Sequence, residues 1–348
     1  MPISGTAMDS SVDQPHADHG GFPFGALSVS RRLLNDPYRH ARSMSGWRRE
    51  VVQLSPGEFS GCVTEVGGCG LYAADEHISH SLFHVGSAYA GGLTLGVVRQ
   101  RHGQPALWNG QPVDADTVLC VTDDAEMVLR SYEHCRIRWL FVPWKMLDEH
   151  VPMKACLASQ EEGAALGIRD ESLAARLRSC VAGVCRWSES VANSPELAHD
   201  AFSAGHEEVV RIAREFVSGY LASVPSLGVK ETHAMRILRA TRAYIRKNVG
   251  EAVCIADLCD AAATSERTLR NACEIITGES PMAFLRAMRL NQVRRSILNA
   301  DDSVSITQIG TRWGFLHMPQ FSKDYRALFG ELPSETVRRQ LADTAAEN

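Results

Sequence analysis

The sequence predicts an α+β chain in two parts, a β-rich front and a wholly helical back. Three observations carry this expectation. Between about Arg48 and Pro143, short runs of β-branched and aromatic residues alternate with glycine-bearing turns. Beyond Trp144 the apolar residues recur at helical spacing instead. Charge is also shared unevenly: from Ser226 onward there are 17 Lys and Arg against 14 Asp and Glu, and before it 19 against 27. An overall charge of −5 therefore conceals an acidic front and a mildly basic back. A chain of 348 residues suits two domains rather than one, and 45% hydrophobic residues suffice for two cores.

Residues 1–29 are rich in Gly, His, Ser and Asp without periodicity, and read as a disordered arm. His16 and His19 within it have no fixed partners, so the arm reads as a tail rather than a metal site. Residues 30–222 read as one domain. Its strand runs include V-V-Q-L from Val51, G-L-T-L-G-V-V from Gly91-Gly92 onward and R-I-R-W-L-F-V from Arg136. Among the turns, Asn109-Gly110 is the clearest hairpin signal, because a type I′ turn needs positive φ at both central residues. Many short strands with regular turns predict a small sandwich or barrel.

His77, His80 and His84 follow one another with Glu76 beside them. The surrounding run reads as strand, where His80 and His84 share a face and His77 lies on the other. That does not gather ligands, so no metal is expected there. Trp108, Trp139, Phe83 and Phe141 have two open readings, plain core or the lining of a pocket. No G-x-S-x-G, phosphate-binding loop or dinucleotide fingerprint occurs, so neither catalytic residues nor a cofactor are assigned.

Two apolar stripes follow Trp144. Leu173, Leu177, Cys180, Val181 and Val184 form the first, and Val209, Ala213, Phe216 and Tyr220 the second. They either pack on their own barrel or pair two copies of the chain, and pairing is the reading preferred from sequence. Residues 223–230, beginning S-V-P-S-L-G, read as a linker. Residues 231–340 then form the helical domain. Its first helix, about Glu231 to Asn248, turns Ile237, Leu238, Thr241, Tyr244 and Ile245 inward and Arg236, Arg239, Arg242, Arg246 and Lys247 outward.

Two helix-turn-helix patterns follow, at residues 255–277 and 306–329. In the first, I-A-D-L-C-D-A-A-A is a short apolar helix, and Ser265 is suited to cap the next one by accepting from its orphan amides. That second helix, Glu266 to Thr277, buries Leu269, Cys273 and Ile276 and presents Arg267, Arg270, Asn271 and Glu274. Arg pairs bidentately with guanine and Asn with adenine, so this face suits duplex DNA. Pro281 to Asn299 reads as one long connecting helix. In the second pattern, Pro319 fits only a first turn and pins a helix start near Met318, with Met318 and Pro319 at its tip and His317 and Met318 among the candidate DNA contacts. Gln320 is the polar base reader expected there. Lys323 and Arg326 are expected on phosphates, and Asp324 nearby is expected to repel them.

The run W-G-F-x-H followed by F-S-x-x-Y-R-x-x-F-G-x-x-P, from Trp313 to Pro333, resembles the C-terminal signature of the AraC/XylS transcription regulators. Within that family it is most similar to the branch of ethanolamine-operon regulators. The resemblance covers roughly Ile237 to Arg338. It implies a cupin-like sensor barrel in front, two reading helices about one DNA turn apart, a small-molecule effector, a homodimer, and activation through RNA polymerase. The alternative is a cupin-type enzyme with an accessory helical domain, which requires a catalytic constellation in the barrel. Ten cysteines without a C-x-x-C pair predict no disulfide framework or zinc ribbon. No signal peptide and no span of eighteen apolar residues is present, so the expected location is the cytoplasm, away from membrane.

Overall fold

The computed structural model describes residues 28–68, 70–101, 103–122, 125–147, 165–191, 207–219, 232–300 and 305–347. The predicted linker at 223–230 and nearly all of the predicted N-terminal arm lie outside them. Two antiparallel sheets organise the front. The seven-stranded sheet has β1 (Ser28–Leu34), β3 (Gly61–Gly68), β4 (Leu71–Ile78), β11 (Cys135–Pro143), β6 (Gly92–Gln100), β9 (Thr117–Thr122) and β12 (Ala165–Arg169), in that spatial order. The five-stranded sheet has β2 (Arg48–Gln53), β5 (Leu82–Ser87), β10 (Met127–Ser131), β7 (Ala106–Trp108) and β8 (Gln111–Val113).

Period-two alternation gives each sheet two apolar faces. Between the sheets lie Val63, Tyr72, Ala74, Ile137, Trp139 and Phe141 from the larger and Leu82, Trp108, Met127 and Leu129 from the smaller. Asn109 and Gly110 both have positive φ, 47° and 80°, and join β7 to β8 as the hairpin rule requires.

Leu93, Leu95, Leu140 and Val142 point out of the other side of the larger sheet. They are covered by α3 (Glu171–Val191) through Leu173, Leu177 and Val181, and by α4 (residues 207–219) through Val209, Ala213 and Phe216. The described members of both predicted stripes therefore pack on the chain's own barrel, the alternative to the pairing reading preferred from sequence. A sheet with strands hydrophobic on both faces needs a cover, and these helices supply it. Tyr220, the last member of the second stripe, lies outside the described residues.

Two shorter helices belong to the front, α1 (Pro37–Ser43), capped by Asp36, and α2 (Trp144–Leu147). The back is helical throughout: α5 (His233–Lys247), α6 (Ile255–Ala261), α7 (Glu266–Thr277), α8 (Pro281–Leu298), α9 (Ile306–Arg312), α10 (Met318–Phe329) and α11 (Pro333–Glu347). Met235, Ile237, Leu238, Leu269, Ile276 and Phe284 of this domain share one apolar cluster with Val52, Phe83, Val85 and Val128 on the outer face of the five-stranded sheet. Phe83 meets Phe284 edge to face at 5.3 Å. The second helix-turn-helix has its own cluster, in which Leu290, Val293 and Ile297 of α8 meet Ile309, Phe321, Tyr325 and Phe329.

Three expectations change. A strand begins at Ser28, inside the predicted arm. The stretch from His80 to His84 is not one strand: β4 ends at Ile78, a turn follows, and β5 starts at Leu82. Arg242, placed outside on α5, is buried over the Phe83 ring, 5.7 Å from its centroid and 3.6 Å from Glu50.

Candidate nucleic-acid interface

The first motif is α6 and α7. Ser265 caps α7, its Oγ accepting from the Thr268 amide at 3.3 Å, and Gly278 ends it in the left-handed conformation at φ 74°. Ala263, in the turn between the helices, also has a positive φ of 47°. Leu269, Ala272, Cys273 and Ile276 are buried, which leaves Arg267, Arg270, Asn271 and Glu274 together on the exposed face as the sequence predicts. Glu266, one turn before Arg270, accepts from its Nε at 3.0 Å and its Nη2 at 2.6 Å. This exposed pair orients the guanidinium without holding it firmly.

The second motif is α9 and α10. Ser305 and Gln308 form a capping box at the start of α9. Gly314 takes φ 83° after it, and α10 begins at Met318, the start that Pro319 requires. His317 is the cap: its Nδ1 accepts from the Gln320 amide at 3.3 Å. Gln320, Lys323 and Arg326 are exposed while Phe321, Tyr325 and Phe329 are buried. Asp324 accepts from Gln320 Nε2 at 2.8 Å and lies 3.6 Å from Arg286 on α8, so its negative charge faces a cation of the same domain. Met318 is half-buried with the second motif's core, and a Cβ at Gly310 would lie 3.4 Å from its Cε. Its packing role is therefore stronger than its place at the helix tip suggests.

Two side chains here escaped sequence reading. Leu316, in the turn before α10, is 83% exposed, and Ile275 on α7 is 57% exposed. Ile275 is off the stripe of Leu269, Cys273 and Ile276, which was a legible signal. Leu316 follows Phe315, which packs on Phe321 at 5.0 Å, and nothing in the spacing tells the two apart. The basic shell expected around α5 turns partly toward the barrel: Arg239 lies 3.3 Å from Glu126, and Arg246 3.5 Å from Glu50.

The three front histidines separate. His77 is exposed on β4, His80 sits in the turn, and His84 is buried on β5 with Nε2 3.0 Å from Ser131 Oγ. Burial, aided by Arg49, pushes the His84 imidazole down to about 3, so it is neutral. Among the described residues no group of three His, Cys, Asp or Glu is placed to hold a metal ion.

Glu76 instead anchors a polar knot inside the barrel. It meets His40 Nε2 at 2.8 Å, Arg49 at 3.0 Å and the Trp139 indole N–H at 3.2 Å. Burial alone raises a carboxyl, but Arg49 and His40 outweigh it and hold Glu76 far below the usual range. Trp47 and Trp108 lean on Trp139 at 4.7 and 6.3 Å between ring centroids. Their indole N–H groups are buried without a hydrogen-bond partner among the described residues.

A family model described as a helix-turn-helix domain matches residues 258–339, which span the end of α6 through α11. Over 95 residues the chain is 37% identical to the XylDLEGF operon transcriptional activator 2 of Pseudomonas putida, covering 27% of this chain and 60% of that protein. The C-terminal residues thus carry a helix-turn-helix domain similar to that of this operon activator. Over 103 residues the chain is 32% identical to a probable thc operon regulatory protein of Rhodococcus erythropolis, covering 29% of this chain and 31% of that protein. Among solved structures, an AraC-type regulator from Chromobacterium violaceum is 28% identical at a TM-score of 0.29, covering 30% of this chain and 91% of that one. The chain thus spans 60% and 31% of the length of these two curated relatives. No described helix is long and apolar enough to cross a membrane.

Proposed function

We propose that the protein is a sequence-specific regulator of transcription that binds double-stranded DNA, an activator whose output is set by a small molecule held in the barrel. The observation that carries the DNA reading is the exposed face of α7, where Arg267, Arg270 and Asn271 stand free of the core on a capped, rigid helix. Arg and Asn have direct partners on base edges, and a helix of this kind enters a major groove. The second helix adds Gln320, Lys323 and Arg326. The activator assignment follows the similarity to the Pseudomonas putida operon activator. A helix-turn-helix domain over 258–339 gives the helical part a role of its own, which favours the regulator reading over a barrel enzyme.

The effector reading rests on Trp47 and Trp108. A buried N–H without a partner costs free energy of about 1–3 kcal/mol, and a ligand carrying an acceptor atom relieves it. A cytoplasmic homodimer acting with RNA polymerase completes the proposal, and its dimer contact is on some surface other than the buried faces of α3 and α4. The likeness to ethanolamine-operon regulators rests on the signature from Trp313 to Pro333 and names no effector. Selection of binding sites from random duplexes by the full chain tests the core of the proposal. A defined motif that weakens on Arg270→Ala supports it, and recovery of unrelated sequences contradicts it.

A further inference from the structure

The two reading helices belong to motifs with separate apolar cores, yet the barrel holds the C-terminal end of each. On β10, Arg130 is buried, and its Nε donates to the carbonyl of Thr277, the last residue of α7, at 2.9 Å. The Arg130 guanidinium also lies against Gly278, where a Cβ would be 3.6 Å from its Nη2. At the end of α10, the Gly57 amide and Nε2 of Gln53 both donate to the Leu328 carbonyl, each at 3.0 Å. The last carbonyls of a helix have no partner within it and form its negative end. The barrel thus grips each reading helix by groups that need a donor in any case.

The connector between the readers is held at the same place. Asn291 of α8 accepts from the Gln53 amide at 2.9 Å and donates to the Gln53 carbonyl at 3.2 Å, pairing with a residue of β2, an edge strand. Arg294, one turn on, joins Asp36 of the barrel's first helix cap at 2.5 Å and Glu331 beyond α10 at 2.9 Å. Strands β2 and β10 are both direct neighbours of β5, so the two grips lie on one hydrogen-bonded three-strand segment.

We infer that the five-stranded sheet is a splint that fixes the spacing of the two reading helices on DNA, with Arg130 and Gln53 as its positioning residues. This rests on the DNA-reading function proposed above. It adds that the spacing of the two halves of a site is read by the barrel, through the ends of helices that the barrel does not share with DNA. Inserting one base pair between two half-sites moves them apart by about 3.4 Å and rotates one by about 34°. Readers joined by a single flexible helix follow such a change, and splinted readers do not.

The test uses the full chain and the duplex it selects, with zero, one and two base pairs inserted between the segments protected by α7 and α10. The readout is the ratio of affinities for inserted and uninserted duplexes. The ratio reports the folded molecules alone, because a loss of active protein scales the apparent affinity for every duplex alike and cancels. The wild-type chain is expected to lose at least about tenfold on one insertion, the size of a mismatched pair. Arg130→Met and Gln53→Leu are each expected to bring the loss within about threefold. A wild-type chain that tolerates insertion, or variants that retain the wild-type ratio, overturns the splint alone. A chain that selects no sequence at all contradicts the DNA-reading function, and the splint with it.

Discussion

Arg270 and Lys323 stand at exposed positions of two different helices, and their surroundings assign them different work. Arg270 belongs to an exposed face whose other members, Arg267 and Asn271, are also residue types that can pair with base edges, so under the proposed function Arg270→Ala is expected to relax preference at one or two base positions and to cost about 1–3 kcal/mol. Lys323 is a point charge one turn beyond Gln320, whose amide is already committed to Asp324. Lys323→Ala weakens binding to all sequences alike and lowers the salt slope by about one. Site selection on the two variants checks this, and a shifted motif for Lys323→Ala alone reverses the assignment. These surface positions were legible because a helical stripe fixes what lies opposite it. Arg242 and Asp324 were not, because Glu50 and Arg286, which settle them, are distant in sequence. His84 makes a separate prediction. Its folded pKa lies well below the ordinary 6.5, so below that value the unfolded chain binds the extra proton and stability falls as pH falls. This single group accounts for a loss of about 2 kcal/mol between pH 7 and 5. In chemical denaturation, the fall between those pH values should shrink in His84→Gln, and an unchanged fall would assign it elsewhere.

Helices that carry their own stop signals were read almost to the residue. Ser265 and Gly278 bound α7, and Pro319 and Gly330 bound α10, each through a backbone requirement that few other residues meet. Strands β1, β8 and β12 were missed for the opposite reason. β1 exposes most of its length at a sheet edge, and Q-P-V in β8 is too short and polar to register as a period. The stripe on α4 is legible in the sequence, but the surface it packs on is not. An apolar helix face states that it must be covered and does not state by what, and the outer face of the seven-stranded sheet was the competing surface. Phe216 is fully buried there, so Phe216→Ala should cost about 3–5 kcal/mol in denaturant unfolding. Light scattering should give the variant the same mass as the wild-type chain. A change of mass without loss of stability would return that helix to a pairing role.

At the scale of the molecule, an acidic sandwich and a helical domain share a continuous apolar cluster across one face of the five-stranded sheet. The other face of that sheet lines the core with Trp108, Leu129 and Leu82. One sheet therefore separates the place proposed for the effector from the helices proposed to read DNA. The two-domain order was legible from the change of period near Trp144 and from the charge distribution. The packing of one domain on the other was not, because the residues that make it, Gln53, Arg130, Asn291 and Arg294, read as ordinary polar positions until their partners are in place. The most direct test is titration of the full chain against its selected duplex and a scrambled one across rising salt, followed by fluorescence anisotropy. Affinity for both should fall linearly on logarithmic axes, with about −0.9 in slope for each phosphate neutralised. The selected duplex should stay at least about a thousandfold tighter throughout. Binding that ignores salt and treats the two duplexes alike would contradict the account.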